Sequence, residues 1–231
     1  MSTEHTSNEI VDADLSGVDR RALPQARTFV RCDLTEADLR QADLADAVFT
    51  DCRLDGARLD HALLDGARFQ GGSAAGASFA GADGPDTRFE RVDLANTRWQ
   101  RALLTDAVFT GCRLTGAGLT PLRGVGYTFA HCNLMLARCK GIDLRGRTLE
   151  GLRLDEADLA AADLRQTVWV ESRLRGAGLV GAKLTGADLR GADLGEPTLD
   201  QAGHLRGATI APAQAGTILA ALGVTVAEPP G

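Results

Sequence analysis

Aromatic residues are scarce in this chain: Phe, Tyr and Trp make up 4% of its 231 residues. A core must therefore be built mainly from Leu and Ala. No run of 18 apolar residues occurs, so no membrane-spanning helix is expected. Met1 to Ile10 is polar and lacks the apolar segment of a signal peptide, which points to the cytoplasm. Five cysteines, an odd number, fit that compartment and argue against a disulfide scaffold. No CxxC pair is present, and His131-Cys132 with Cys139 lacks zinc-site spacing. No metal or cofactor is expected. The glycines recur at intervals of five rather than in a phosphate-binding loop. The carboxylates are spread out, with no enclosed pocket to tune their acidity, so no catalytic residue is assigned. The net charge of −6 argues against direct nucleic-acid binding and allows a basic partner.

What is abundant is periodicity. Phe29, Phe49, Phe69, Phe89, Phe109 and Phe129 are each twenty residues apart. Between them runs a period of five. Of the 35 positions reached by fives from Phe29 to Leu199, 31 are Leu, Phe or Trp; the exceptions are Ala74, Gly84, Gly124 and Cys139. A helix repeats by three or four and a strand by two, so neither explains this pattern. Two residues before most large residues sits a small one, as at Ala37, Ala42, Ala47 and Cys52, and the residue between is usually polar, as at Asp38, Asp43 and Arg53. Large and small residues point inward and the one between them outward, as alternation along extended chain requires. The last two residues of each five turn a corner. Four sides make a coil of twenty residues. Just under nine coils stacked at the ~4.8 Å strand spacing form a rod roughly 40 Å long.

Three places strain the pattern. Ala74 and Gly84 thin the core near Gly84-Pro85. Leu122 and Gly124 exchange the small and large positions, a near volume-conserving swap. Tyr127, Ile142, Arg147 and Leu152 stand in slots for small residues. The phase of five does not slip, so drifted repeats explain these better than an inserted loop. Cys32, Cys52, Cys112 and Cys132 share one inward column and read as small core residues.

The chain resembles the pentapeptide-repeat proteins, whose motif is written A(D/N)LXX. Ala157-Asp158-Leu159, Ala162-Asp163-Leu164, Ala187-Asp188-Leu189 and Ala192-Asp193-Leu194 carry the resemblance. It implies an all-β, right-handed quadrilateral β-helix. The organisation expected is a disordered tail at 1–9, an N-terminal cap at 10–26 and the β-helix at 27–206. Residues 207–231 then form a C-terminal helix, a dimerisation segment and a tail. In that last segment Ala211, Ala215, Ile218, Leu219 and Leu222 make one helical stripe, with Pro212 in the first turn and Gly223 at the stop. Ala215, Ile218, Leu219 and Leu222 are the expected homodimer contact, and Val224-Thr225-Val226 a short strand.

The stretch Gln214-Ala215-x-x-Ile218-Leu219-x-x-Leu222-Gly223-Val224 is similar to the C-terminal segment of the Qnr and MfpA group. Ile142-Asp143-Leu144-Arg145-Gly146-Arg147-Thr148-Leu149 also looks like MfpA. That resemblance implies a DNA mimic that binds DNA gyrase or topoisomerase IV. Such a protein protects the enzyme from poisons such as fluoroquinolones, or inhibits it. No projecting loop of the Qnr kind interrupts the period. A candidate surface follows from the register: the side centred on Leu44, Leu64, Gly84 and Leu104 carries Asp43, Asp46, Asp65, Asp83, Asp86 and Asp106 and no Lys or Arg. Asp is common just before a centre, which accounts for Asp43 and Asp83 but not for the other four. The alternative to mimicry is a solvated acidic side on a scaffold with another partner; an enzyme is a weaker alternative.

Overall fold

The structure is a computed structural model that describes residues 8–221 and 223–227. It divides into two compact units, Met1–Thr128 and Phe129–Gly231. Each is a parallel β-solenoid whose chain returns to the same side every twenty residues.

In the first unit the strands β1 (Glu9–Val11), β2 (Thr28–Val30), β3 (Val48–Thr50), β4 (Arg68–Gln70), β5 (Arg88–Glu90) and β6 (Val108–Thr110) pair in sequential, parallel order. Phe29 lies opposite Phe49, Phe49 opposite Phe69, and Phe69 opposite Phe89. The other three sides pair through single parallel bridges, such as Asp33 with Arg53 and Asp38 with Arg58. Stacking of identical coils turns the period into an aromatic column. Phe29, Phe49, Phe69, Phe89 and Phe109 stack with successive centroids 5.0, 4.9, 4.7 and 4.8 Å apart. Phe79 and Trp99, stacked at 4.1 Å, meet this column edge-on. Offset and edge-on contacts of this kind are the favoured geometries of aromatic rings. Trp99 donates its indole Nε1–H to Thr97 Oγ1 at 2.8 Å, so the buried polar atom is satisfied.

Most corners are type II turns. The carbonyl of the large residue accepts the N–H three residues on, as Leu34 from Ala37 at 3.1 Å and Leu44 from Ala47 at 3.0 Å. The second residue past the centre is left-handed, as at Glu36 (φ 58°) and Asp46 (φ 56°). On the Phe side, the carbonyl of the centre accepts from a small residue of the next coil. Cys52 Sγ donates to Phe29 O at 3.3 Å and Cys112 Sγ to Phe89 O at 3.3 Å. The cysteine column therefore fills core space and also caps carbonyls. Burial pushes the Cys52 thiol up to about 11.

The first coil is one residue short. Ile10 pairs with Phe29 and Asp19 with Asp38, nineteen residues apart. The missing residue falls between Asp19 and Thr28, around Pro24. Glu9 belongs to β1, and residues 1–7 lie outside the described residues. The expected Leu122/Gly124 swap does not refill the core: Leu122 is half-buried and Gly124 exposed with φ +89°. With no side chain at the centre, Gly124 puts nothing into the core, and a β-carbon there would meet Thr105 N at 2.7 Å. Phase is kept all the same, since Arg123 still pairs with Leu103 and Asp106 N bonds Val125 O at 2.9 Å.

The second unit begins as β7 (Thr128–Ala130) runs into it. It continues through β8 (Thr148–Glu150), β9 (Val168–Val170), β10 (Ser172–Arg173) and β11 (Ala192–Asp193). Tyr127 at the end of the first unit, and Ile142 and Leu152 in the second, are buried in their small-residue slots, and Arg147 is half-buried. At Leu199 the sequence still obeys the period of five, but the chain turns helical: α1 spans Leu199–Gly203. Thr198 caps it by accepting the Gln201 N–H, while Gln201 Oε1 accepts the Thr198 N–H at 2.9 Å. The chain then rejoins the ladder with one residue more than a regular coil, Thr209 pairing with Asp188. A second helix, α2, spans Pro212–Ala221. Val224–Val226 are exposed and form no strand; Val224 N bonds Leu219 O at 3.0 Å.

Candidate partner-binding face and C-terminal helix

On the side of the first unit centred on Leu44, Leu64, Gly84 and Leu104, these four residues are buried. Asp43, Asp46, Asp65, Asp83, Asp86 and Asp106 are all exposed on it. They occupy three tracks along the coils rather than a single column. Asp43 and Asp83 share the outward track with Leu63 and Leu103. Asp65 occupies the next position, and Asp46, Asp86 and Asp106 the left-handed corner, with φ of 56°, 54° and 55°. Asp is among the residues that tolerate this conformation, which is one structural reason for its presence there. Asn tolerates it equally, as Asn96 (φ 57°) does at another corner. The corner carboxylates extend along the coil axis: Asp46 Oδ1 lies 2.7 Å from where a β-carbon of Gly66 would stand.

The aspartate before a centre usually has a structural task. Its Oδ1 accepts the N–H two residues on, as Asp33 from Thr35 at 2.9 Å and Asp158 from Ala160 at 3.0 Å. Asp43 does this with Ala45 at 3.2 Å. That bond, and then Arg27, hold its carboxyl below the ordinary value. Asp83 cannot do it, because residue 85 is a proline without an N–H. Motif bias therefore accounts for Asp43 in physical terms but does not account for Asp83.

Charge pairing is common on two of the other sides of this unit. Asp38 is held by Arg40 at 2.7 Å and Arg58 at 2.9 Å, Asp33 by Arg53 at 3.5 Å, and Asp93 by Arg113. Arg40, the largest influence on Asp38, holds its carboxyl down at about 2. On the acidic side Asp43 meets Arg27 at 3.5 Å. Among the described residues, Asp46, Asp65, Asp83, Asp86 and Asp106 have no ion pair.

In the second unit, Ala215, Ile218 and Leu219 of α2 are half-buried; Leu222 lies outside the described residues. The helix is pinned by a residue outside its apolar stripe. Gln214 Nε2 donates to Leu189 O at 2.8 Å and to Ala192 O at 2.6 Å, while its Oε1 accepts the Ala211 N–H at 2.6 Å. Leu189 is the centre of its side. Gln214 thus serves the centre's carbonyl as Ser172 Oγ serves Leu149 O at 2.9 Å two coils earlier. His131 stands at a corner 3.7 Å from Glu150, whereas Cys132 and Cys139 are buried. Burial pushes the Cys139 thiol up to about 12. No helix among the described residues is long and apolar enough to cross a membrane.

A parallel solenoid with five-residue sides defines a class of repeat proteins. The chain belongs to the pentapeptide-repeat family. A model described as a pentapeptide repeat region matches residues 25–99, and one of pentapeptide repeats in eight copies matches 87–120 and 157–195; together they cover more than half the chain. No curated protein matches the sequence. Among solved structures, trypsin-treated QnrB1, a plasmid-mediated fluoroquinolone resistance protein, has a TM-score of 0.65 at 18% identity, covering 95% of this chain and 99% of that one. Full-length QnrB1 has a TM-score of 0.51 at 19% identity, covering 94% and 100%. HetL, involved in heterocyst differentiation regulation in the cyanobacterium Nostoc sp. strain PCC 7120, is 26% identical with a TM-score of 0.44, covering 80% and 86%. The likeness to QnrB1 at such identity is one of fold.

Proposed function

We propose that this protein is a cytoplasmic, DNA-mimicking binder of a bacterial type II topoisomerase, DNA gyrase or topoisomerase IV. It acts as a homodimer and a binding protein rather than an enzyme. Bound, it shields the topoisomerase from poisons such as fluoroquinolones, or inhibits it by competing with DNA. The observation that carries the reading is the set of five exposed carboxylates without ion pairs, on a molecule whose other aspartates are largely tied to arginines. Unpaired carboxylates are available to the Lys and Arg groups with which a topoisomerase grips phosphates. Six aspartates over four coils give roughly one charge per 3 Å of axis at the ~4.8 Å coil spacing. Duplex DNA carries one per ~1.7 Å, so the array is a diluted mimic. The fold shared with QnrB1, whose name records fluoroquinolone resistance, lends support.

The test is a gyrase supercoiling assay with and without a fluoroquinolone. The chain is expected to protect or inhibit at micromolar concentration. Changing Asp46, Asp65, Asp86 and Asp106 together to Asn should weaken the effect at least about tenfold, with an unchanged circular dichroism spectrum, because Asn keeps the left-handed corners and removes only charge. Absence of any effect of the unaltered protein on gyrase or topoisomerase IV rejects the reading.

A further inference from the structure

The acidic side also carries apolar surface, and the two are interleaved in register. Parallel bridges run from Asp43 to Leu63, Leu63 to Asp83, Asp83 to Leu103 and Leu103 to Arg123. Leu63 is 47% exposed, and Leu103 is half-buried in the same outward track. Val125, 71% exposed, continues the apolar surface one position over. On the neighbouring side centred on Leu39, the outward residues are Asp38, Arg58, Ser78, Arg98 and Gly118. A leucine facing water between two aspartates improves neither solubility nor the core. It also has no counterpart in a phosphate backbone. Its use is to be covered by apolar atoms of something that also carries positive charge.

Spacing narrows the choice of partner. Successive coils are ~4.8 Å apart, so like residues two coils apart repeat at ~10 Å. An α-helix rises 1.5 Å per residue; positions i and i+3 or i+4 are about 5 Å apart along its axis, and i and i+7 about 10.5 Å. The track Asp43, Leu63, Asp83, Leu103 thus matches the positions i, i+3 or i+4, i+7 and i+10 or i+11 of a helix laid along the coils. Arg123 ends the track with a positive charge, which suits the negative C-terminal end of such a helix. Asp43 keeps 61% of its side chain exposed beside Arg27, so it remains available.

We propose that this face docks a basic amphipathic α-helix of a partner protein, with its cations on Asp43 and Asp83 and its apolar side chains on Leu63 and Leu103. The inference uses the face assigned above to the topoisomerase and rests on that reading only for the partner's identity.

The experiment uses the full chain and two synthetic helical peptides of identical composition. One peptide places Lys at i and i+7 and Leu at i+4 and i+11; in the other the same residues are scrambled. Fluorescence anisotropy is expected to show the ordered peptide binding at least about tenfold tighter, with Leu63→Ser and Leu103→Ser each weakening it by about tenfold. Equal binding of the two peptides, or variants that bind like the original, would mean that net charge alone attracts and would overturn the proposal. Gyrase binding by the same variants separates the two readings. If gyrase binds and neither leucine change matters, helix docking fails and the topoisomerase reading stands. If the peptides are discriminated as expected and gyrase is not bound, the partner's identity fails and the docking surface stands.

Discussion

At the scale of the residue, the aspartate before each centre explains why this repeat favours that amino acid. Most corners leave an N–H two residues on without a ladder partner, and the carboxylate takes it, as Asp193 does from Gly195 at 2.9 Å. Where an arginine follows two residues after the aspartate, the pair closes on itself. Arg190 grips Asp188 through Nε at 2.9 Å and Nη2 at 2.6 Å, and holds its carboxyl down at about 2; Arg165 does the same for Asp163. A carboxyl depressed in the folded state contributes stability that is present above its unfolded value near 4. That contribution is lost as pH falls from there toward 2. The melting temperature is therefore expected to fall across that window, and to fall less steeply in Asp188→Asn; thermal melts at pH 5 and pH 2.5 check it. An identical pH slope in the two proteins would show that the pair adds nothing in solution, as exposed pairs often do.

At the scale of the element, α2 shows what a pattern can and cannot reveal. The stripe of Ala215, Ile218 and Leu219 is readable from helical spacing, as are Pro212 at the start and Gly223 beyond the end. Gln214 is not readable, because a polar residue on a helix looks the same whether it meets water or an open carbonyl. Only the position of Leu189 O and Ala192 O gives it a task. Gln214→Leu keeps the bulk and removes both donors. It is expected to raise amide hydrogen exchange across α2 at least about tenfold, corresponding to roughly 1–2 kcal/mol, while the amides of β8 and β9 stay protected. Unchanged exchange would mean that apolar contact alone seats the helix. The short helix α1 did leave a signal: Thr198-x-x-Gln201 is a capping box. The regular period running to Leu199 masks that signal, since a centre residue has the same identity in a coil and at a helix start.

At the scale of the whole molecule, the question is association. Ala215, Ile218 and Leu219 are half-buried within one chain, so part of each remains for a second copy. If the dimer forms through this stripe, Leu219→Asp places a charge in its contact and should yield monomers by light scattering at micromolar concentration. A mass unchanged by that substitution would remove α2 from the interface.

The repeat determined by itself which residues lie inside, which turn corners and which face out. In a solenoid every coil stacks on a copy of itself, so register is a property of spacing along the chain. That is why the Phe column and the side that carries the six aspartates follow from spacing alone. Pairing was decided by tertiary structure. Whether a carboxylate is free depends on which arginine reaches it, often from a coil away, as Arg58 reaches Asp38. The alternation of Asp43, Leu63, Asp83 and Leu103 lies in the sequence at intervals of twenty. It becomes one surface only when the coils stack and bring those residues to within a helix turn of each other.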